Sequence, residues 1–168
     1  VIYDRRVAAS LVGTMASAIN GANITRGTSF LKDSLGKQVA SKGLNFIDNP
    51  LRPRGLGSRL FDGEGLAVSK RVMIDDGVLT GWFLDLASAT KLCMTPTGNA
   101  RRGIGSAPSP GASNFYIENS LISRDDLIAD IDEGFLITEM IGSSVDMITG
   151  DYSRGAGGFW ISKGKIAQ

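Results

Sequence analysis

"GLAVSKRVMIDDGVLTGWFLD", Gly65 to Asp85, alternates apolar and polar residues on both sides of Asp75-Asp76-Gly77. Alternation with a period of two turns one face of each run toward a core, and an Asp-Gly pair tolerates the positive backbone angles of a tight turn. The stretch reads as a β-hairpin. It sets the class of the chain, because strands here are joined by turns instead of by crossover helices.

Toward the N-terminus the period changes. Asp4 is placed to cap a helix whose apolar residues Val7, Leu11, Met15 and Ile19 recur every four positions, and Asn20-Gly21 reads as its stop. A second helical stretch is expected around Phe30, Leu31 and Leu35, then a short strand in "LNFID", Leu44 to Asp48, broken by Pro50 and Pro53. After the hairpin come a short helix at Leu86 to Leu92, a loop from Thr95 to Ala112, and a strand in "SNFYIEN". Ser123 and Asp126 form a capping-box pattern for a helix through Ile131, with Gly134 as its end. "FLITEMI", Phe135 to Ile141, reads as a buried strand, and a final strand pair turns at Lys163-Gly164. The expected class is α+β, with N-terminal helices followed by a largely antiparallel sheet or barrel-like domain. A length of 168 residues suits one domain spanning residues 1–168.

Composition narrows the chemistry. Charged residues make up 21% with a net charge of +1, which is not the basic footprint of a nucleic-acid binder. The single cysteine, Cys93, allows no intrachain disulfide, and no apolar run approaches the roughly twenty residues that cross a bilayer. These features point to a soluble cytoplasmic protein without a membrane partner. The chain begins at Val1 and shows no leader pattern, so it is read as a piece of a longer protein. There is no histidine, which removes the side chain that titrates near neutrality and the commonest zinc ligand. Cys93, between Leu92 and Met94, reads as a small buried hydrophobe.

Three stretches invite functional readings. In "GDYSRGAGGFW", Gly150 to Trp160, Gly155, Gly157 and Gly158 could let a peptide backbone approach, with Asp151 or Arg154 orienting it. Alternatively the glycines make a bend or bulge, Tyr152, Phe159 and Trp160 pack on a sheet, and Asp151 pairs with Arg154. In "TGNARRGIG", Arg101 and Arg102 could hold a carboxylate, although the stretch lacks the Lys-Ser end of a P-loop, and solvated loop charges are the plainer reading. Asp62 and Glu64 in "FDGEG" have calcium-loop spacing without further ligands, so a turn is the plainer reading.

Read together, "RGTSFLKD" at Arg26, "RPRGLGSRLFDGEG" at Arg52, "TPTGNA" at Thr95 and "TGDYSRGAGGFW" at Thr149 resemble, in order and spacing, the C-terminal part of the TldD/TldE (PmbA) peptidase family. The resemblance covers essentially the whole chain, and the last stretch is more similar to TldE than to TldD. It implies a missing N-terminal domain and a cytoplasmic heterodimeric zinc peptidase whose TldD subunit carries an HExxxH helix. The family is linked to trimming small or unfolded peptides, peptide maturation and antitoxin degradation, and carries the older description of modulator of DNA gyrase. Aligned without a gap on Gly27-Thr28-Ser29, the metal helix reads "VGTMAS": Val12 and Ser17 stand for the histidines and Gly13 for the glutamate.

The resemblance therefore implies no catalytic residue, metal or cofactor in this chain, zinc in a TldD-like partner, and peptide substrates shared between the two subunits. Self-pairing is the alternative when the chain is isolated. Arg101, Arg102, Asp151, Tyr152, Arg154, Gly157, Gly158 and Trp160 are the expected channel or interface residues, and replacing Gly157 and Gly158 with valine is expected to abolish cleavage without unfolding. Two other classes stay open: a regulatory binding module without proteolysis, and a hydrolase acting alone through Asp62 and Glu64.

Overall fold

The structure, a computed structural model, describes residues 1–142 and 145–167. Its elements run β1 (Ile2–Tyr3), α1 (Arg5–Ala18), α2 (Gly21–Arg26), β2 (Phe46–Asp48), β3 (Arg71–Asp75), β4 (Val78–Leu79) and α3 (Leu86–Lys91). They continue with β5 (Ala100–Arg101), β6 (Ser109–Pro110), β7 (Phe115–Ile117), α4 (Arg124–Ala129), β8 (Glu133–Ile141), β9 (Gly155–Ser162) and β10 (Lys165–Ile166). The class is α+β, and among the described strand ladders only β1–β8 is parallel. Two compact units divide the chain: Val1–Thr14 with Asn119–Asp146 and Asp151–Gln168, and Met15–Glu118 with Met147–Gly150.

The larger unit, Met15–Glu118 with Met147–Gly150, is built around the hairpin expected from the sequence. β3 and β4 pair through Asp75↔Val78, and Asp76 and Gly77 take φ of 46° and 79°, the mirror-type turn that matches strand twist. A sheet of order β4-β3-β2-β7 follows. Its buried side chains include Phe46, Met73, Ile74 and Leu79, packed with Ile19, Ile24, Leu31 and Phe83. Phe115 meets Phe83 edge-on at 5.4 Å and Phe46 at 5.8 Å, anchoring the outer strand to the core.

Asn20 does not only end α1. Its side chain accepts from the Ala22 N–H and caps α2, which closes at Gly27 with φ 71°. The helix expected around Phe30 to Leu35 is instead a run of turns. Buried Ser29 explains it: its hydroxyl donates to Ala18 O at 2.6 Å and accepts from Leu31 N at 3.1 Å, offering the backbone a partner that competes with helix.

α3 has a full capping box between Asp85 and Ser88. Its end corrects the reading of Cys93, which is exposed. Cys93 adopts φ 53° just past the helix while Met94 N–H bonds to Ala89 O at 2.9 Å, a left-handed terminator that carries the thiol outward.

The smaller unit has sheet order β1-β8-β9-β10 and a core of Ile128, Leu136 and Ile161, with Ile2 and Ile131 against it. Asp4 caps α1 as expected, accepting from Arg6 N at 3.1 Å. Ser123 and Asp126 form the expected capping box, but α4 stops at Ala129, and Gly134 lies within β8 instead of ending the helix. β8 is not buried throughout: only Leu136 and Ile137 are, because a sheet with a single small core layer leaves the other positions partly exposed. β9 and β10 turn at Lys163 and Gly164 with φ 49° and 73°.

Candidate functional site

Gly155–Ser162 forms β9 itself, so the glycines expected at a bend sit inside a regular strand. The irregularity lies opposite them. Ile137 pairs with Gly158 and Glu139 with Gly157, leaving Thr138 as an extra residue on β8. Gly158 is a close-approach glycine: a Cβ there would lie 1.9 Å from Leu136 O. At Gly157 the nearest atoms to an added Cβ are those of Glu139 at 3.7 Å, an ordinary contact. The expectation that valine at both positions spares the fold is therefore corrected for Gly158, where the obstruction is backbone.

Around this ladder Trp160 is 69% exposed and packs edge-on to Phe135 at 5.0 Å. Tyr152 donates its hydroxyl to Met140 Sδ at 3.0 Å, and Arg154 donates to Gly142 O. The Nε of Arg154 is buried and has no hydrogen-bond partner among the described residues. Burial, then the neighbouring Tyr152, pushes the Tyr3 phenol above its ordinary value. Asp151 is exposed, and its carbonyl accepts from Asp146 N at 2.9 Å. Gly157, Gly158 and Trp160 thus lie on β9, with Arg154 just before it and Tyr152 reaching Met140 of β8.

β8 also borders a groove of about 530 Å³ lined by Arg6, Val7, Ser10, Thr138, Glu139, Met140, Ile141 and Arg154. No motif marked Arg6, Ser10 or Glu139, since they become neighbours only when β8 is laid beside α1. On α1, Val12 is half-buried and Gly13 and Ser17 are exposed. Valine and glycine side chains offer zinc no donor, and no cluster of three His, Cys, Asp or Glu residues suited to a metal exists among the described residues. These residues do not fit a zinc site.

Arg101 and Arg102 belong to the larger unit. Arg101 ends β5 and is exposed, its Cδ 2.6 Å from where a Cβ at Gly111 would sit, and Arg102 is exposed just beyond. Arg59, which the sequence did not mark, is half-buried, and its Nε and Nη2 are sealed without a partner among the described residues. Burial lowers its pKa, opposed by Asp48, assisted by Arg101 and opposed again by Asp62.

The carboxylates nearby are structural. Asp48 accepts from Ser113 N at 2.7 Å, Ser113 Oγ at 2.8 Å and Asn99 Nδ2 at 2.9 Å. Asp62 accepts from Glu64 N and Leu66 N at 2.9 Å and from Ala100 N at 3.1 Å, while Glu64 accepts from Leu86 N at 2.8 Å. Asp62 thus ties its own turn to β5, and Glu64 holds the first N–H of α3.

The PmbA/TldA metallopeptidase C-terminal domain matches residues 1–168. The chain belongs to this family. Within it, the chain is 39% identical to "Metalloprotease PmbA" of Escherichia coli O157:H7 over 99% of its length and 35% of the relative's. It is 31% identical to "Metalloprotease TldD homolog" of Buchnera aphidicola, covering 84% of this chain and 30% of that one. Among solved structures, a Bacteroides thetaiotaomicron protein described as a modulator of DNA gyrase superposes with a TM-score of 0.87 at 34% identity, over 99% of this chain and 36% of that one. TldE from Thermococcus kodakarensis gives 0.79 at 27% identity, over 93% and 37% of the two chains. The chain thus spans about a third of the length of these family members.

Proposed function

We propose that the chain is part of a non-catalytic TldE-like subunit of a two-subunit zinc peptidase acting on small or unfolded peptides, with the metal and the cleavage in a TldD-like partner. What supports this is the sequence of α1: aligned without a gap on Gly27-Thr28-Ser29, Val12, Gly13 and Ser17 fall where the family's catalytic helix is expected to carry two ligands and a base. The subunit's work is then to bind. β8 and β9, with Arg154 and Trp160, form its peptide-facing surface. Leu56, Leu60, Phe61 and Ile104, all strongly exposed on loops 51–61 and 102–108, together with Arg101 and Arg102, supply an apolar surface with a basic rim suited to the partner subunit.

The test is size exclusion of the full-length parent protein with and without the HExxxH-bearing relative from the same genome, with zinc assayed in each peak. A joint peak holding zinc only when the relative is present is the expected result. Separate peaks, or zinc in the parent protein alone, overturn the assignment.

A further inference from the structure

We infer that the hollow beside Arg59, in the loop from Pro50 to Leu60, binds a carboxylate joined to a small branched apolar group. All of its residues lie in the larger unit. The hollow measures about 280 Å³ and is lined by Pro50, Leu51, Ser58, Arg59 and Leu60. Pockets for drug-sized ligands begin near about 300 Å³, so this one admits a few carbon atoms and one polar head. Proline and two leucines make its wall mainly apolar.

The polar head is chosen by what the wall can still donate. Ser58 has nothing left to give: its hydroxyl donates to Arg52 O and accepts from Asn114 Nδ2 at 3.0 Å. That leaves the Arg59 guanidinium, whose Nε and Nη2 are buried without a hydrogen-bond partner among the described residues. These two nitrogens share one edge of the group, and two parallel N–H bonds from such an edge match the two oxygens of a carboxylate. Buried donors left unmatched are destabilising, so an acceptor brought to this edge is strongly favoured. Leu51 and Leu60, 50% and 80% exposed, are free to turn about their side-chain bonds and admit it.

Charge agrees with this choice. Asp48 and Asp62 act on Arg59 through space, but neither forms an ion pair with it, since both carboxylates are held by other donors. Arg101 adds a second positive charge close by and likewise has no ion pair among the described residues. Two cations draw an anion, while the nearby Asp48 and Asp62 favour a singly charged carboxylate over a doubly charged phosphate.

The loop is shaped before any ligand arrives. Asn114 Nδ2 donates to Asn49 O at 2.8 Å as well as to Ser58 Oγ, its Oδ1 accepts from Gly57 N at 2.9 Å, and Arg59 N closes on Pro50 O at 2.9 Å. Gly57 permits this clamp, because a Cβ there would lie 2.5 Å from Ser113 O. A wall fixed in this way lowers the ordering cost of binding.

The test is equilibrium dialysis of radiolabelled isocaproate against the full-length parent protein without its partner. One saturable equivalent per chain is expected. Isocaproamide, which lacks the charge, and acetate, which lacks the branched tail, should each compete about tenfold less well or worse. Arg59→Gln should weaken binding by about tenfold or more at an unchanged thermal midpoint. Leu60→Asp, which puts a negative charge on the exposed rim, should weaken it too and keeps the test decisive if Arg59→Gln does not fold. No saturable binding, equal competition by the amide, or indifference to both substitutions overturns the inference. Repeating the titration with the HExxxH-bearing relative separates two sources of such a carboxylate: displacement assigns it to an acidic side chain of the partner, undiminished binding to a free acid, and either result upholds the site. Because the first titration contains neither partner nor zinc, its failure is distinct from failure of the co-elution experiment.

Discussion

Gly158→Ala poses one methyl group against the backbone of the neighbouring strand. A Cβ at this position would lie 1.9 Å from Leu136 O, 2.9 Å from Leu136 C and 3.1 Å from Ile137 Cα. Carbon contacts become favourable only near about 3.5 Å, so β8 and β9 must part by roughly 1 Å or more to accept it. Overpacking of this kind costs about 1–3 kcal/mol, and each ladder hydrogen bond stretched in the process about 1 kcal/mol more. Against this, removing a glycine from a strand gains only about 0.5–1 kcal/mol. The clash wins. A net loss of roughly 2–4 kcal/mol is expected, a shift of about 1–2 M in the urea midpoint for a protein of this size.

Gly157→Ala is the matched control. Its nearest neighbours are Glu139 Cβ and Oε2 at 3.7 Å, so the glycine gain survives and the midpoint should hold or rise slightly. Urea unfolding followed by tryptophan fluorescence suits both variants, since Trp160 lies on the same strand and Trp82 in the larger unit's core. A Gly158→Ala protein as stable as the parent would refute the close-approach argument. So would a Gly157→Ala protein losing as much as Gly158→Ala.

Asp48→Ala removes the acceptor of three hydrogen bonds from a residue 1% exposed, stranding Ser113 N–H, its hydroxyl and the Asn99 amide; a loss of about 3 kcal/mol or more is expected in thermal or urea unfolding, and a change under 1 kcal/mol would contradict the network. Asp126 accepts from Ser123 Oγ at 2.6 Å, and this bond, followed by the one from Ser123 N, holds its carboxyl below the ordinary carboxylate range. A group whose folded pKa is depressed stabilises above its unfolded pKa, and the contribution is lost as pH falls through the folded value. The α4 cap should accordingly persist at neutral pH and fail only in acid; a carboxyl-carbon NMR titration of Asp126 with an ordinary or raised midpoint would contradict this.

The carbonyl of Leu136 that obstructs Gly158 could not be anticipated from the sequence, and the elements divide along the same line. The β3–β4 hairpin, the caps at Asp4 and Ser123 and the Lys163-Gly164 turn were legible because each is decided by residues within a few positions of one another, through backbone angles and local hydrogen bonds.

Where long-range partners competed, local reading failed. Ser29 met Ala18 and turned an expected helix into turns, and Cys93, expected in a core, was carried outward by a helix terminator. The turn expected at "FDGEG" is there, with Asp62 accepting from Glu64 N and Leu66 N, but its third bond, from Ala100 N, lies beyond local reach. The glycines of β9 were recognisable as unusual, yet only the pairing register separates Gly158, pressed on a carbonyl, from Gly157, which has space. The groove of Arg6, Ser10, Glu139 and Arg154 belongs wholly to the tertiary structure. Its walls are far apart in the chain, and a parallel β1–β8 pairing of two residues, too short to leave a pattern, brings them together.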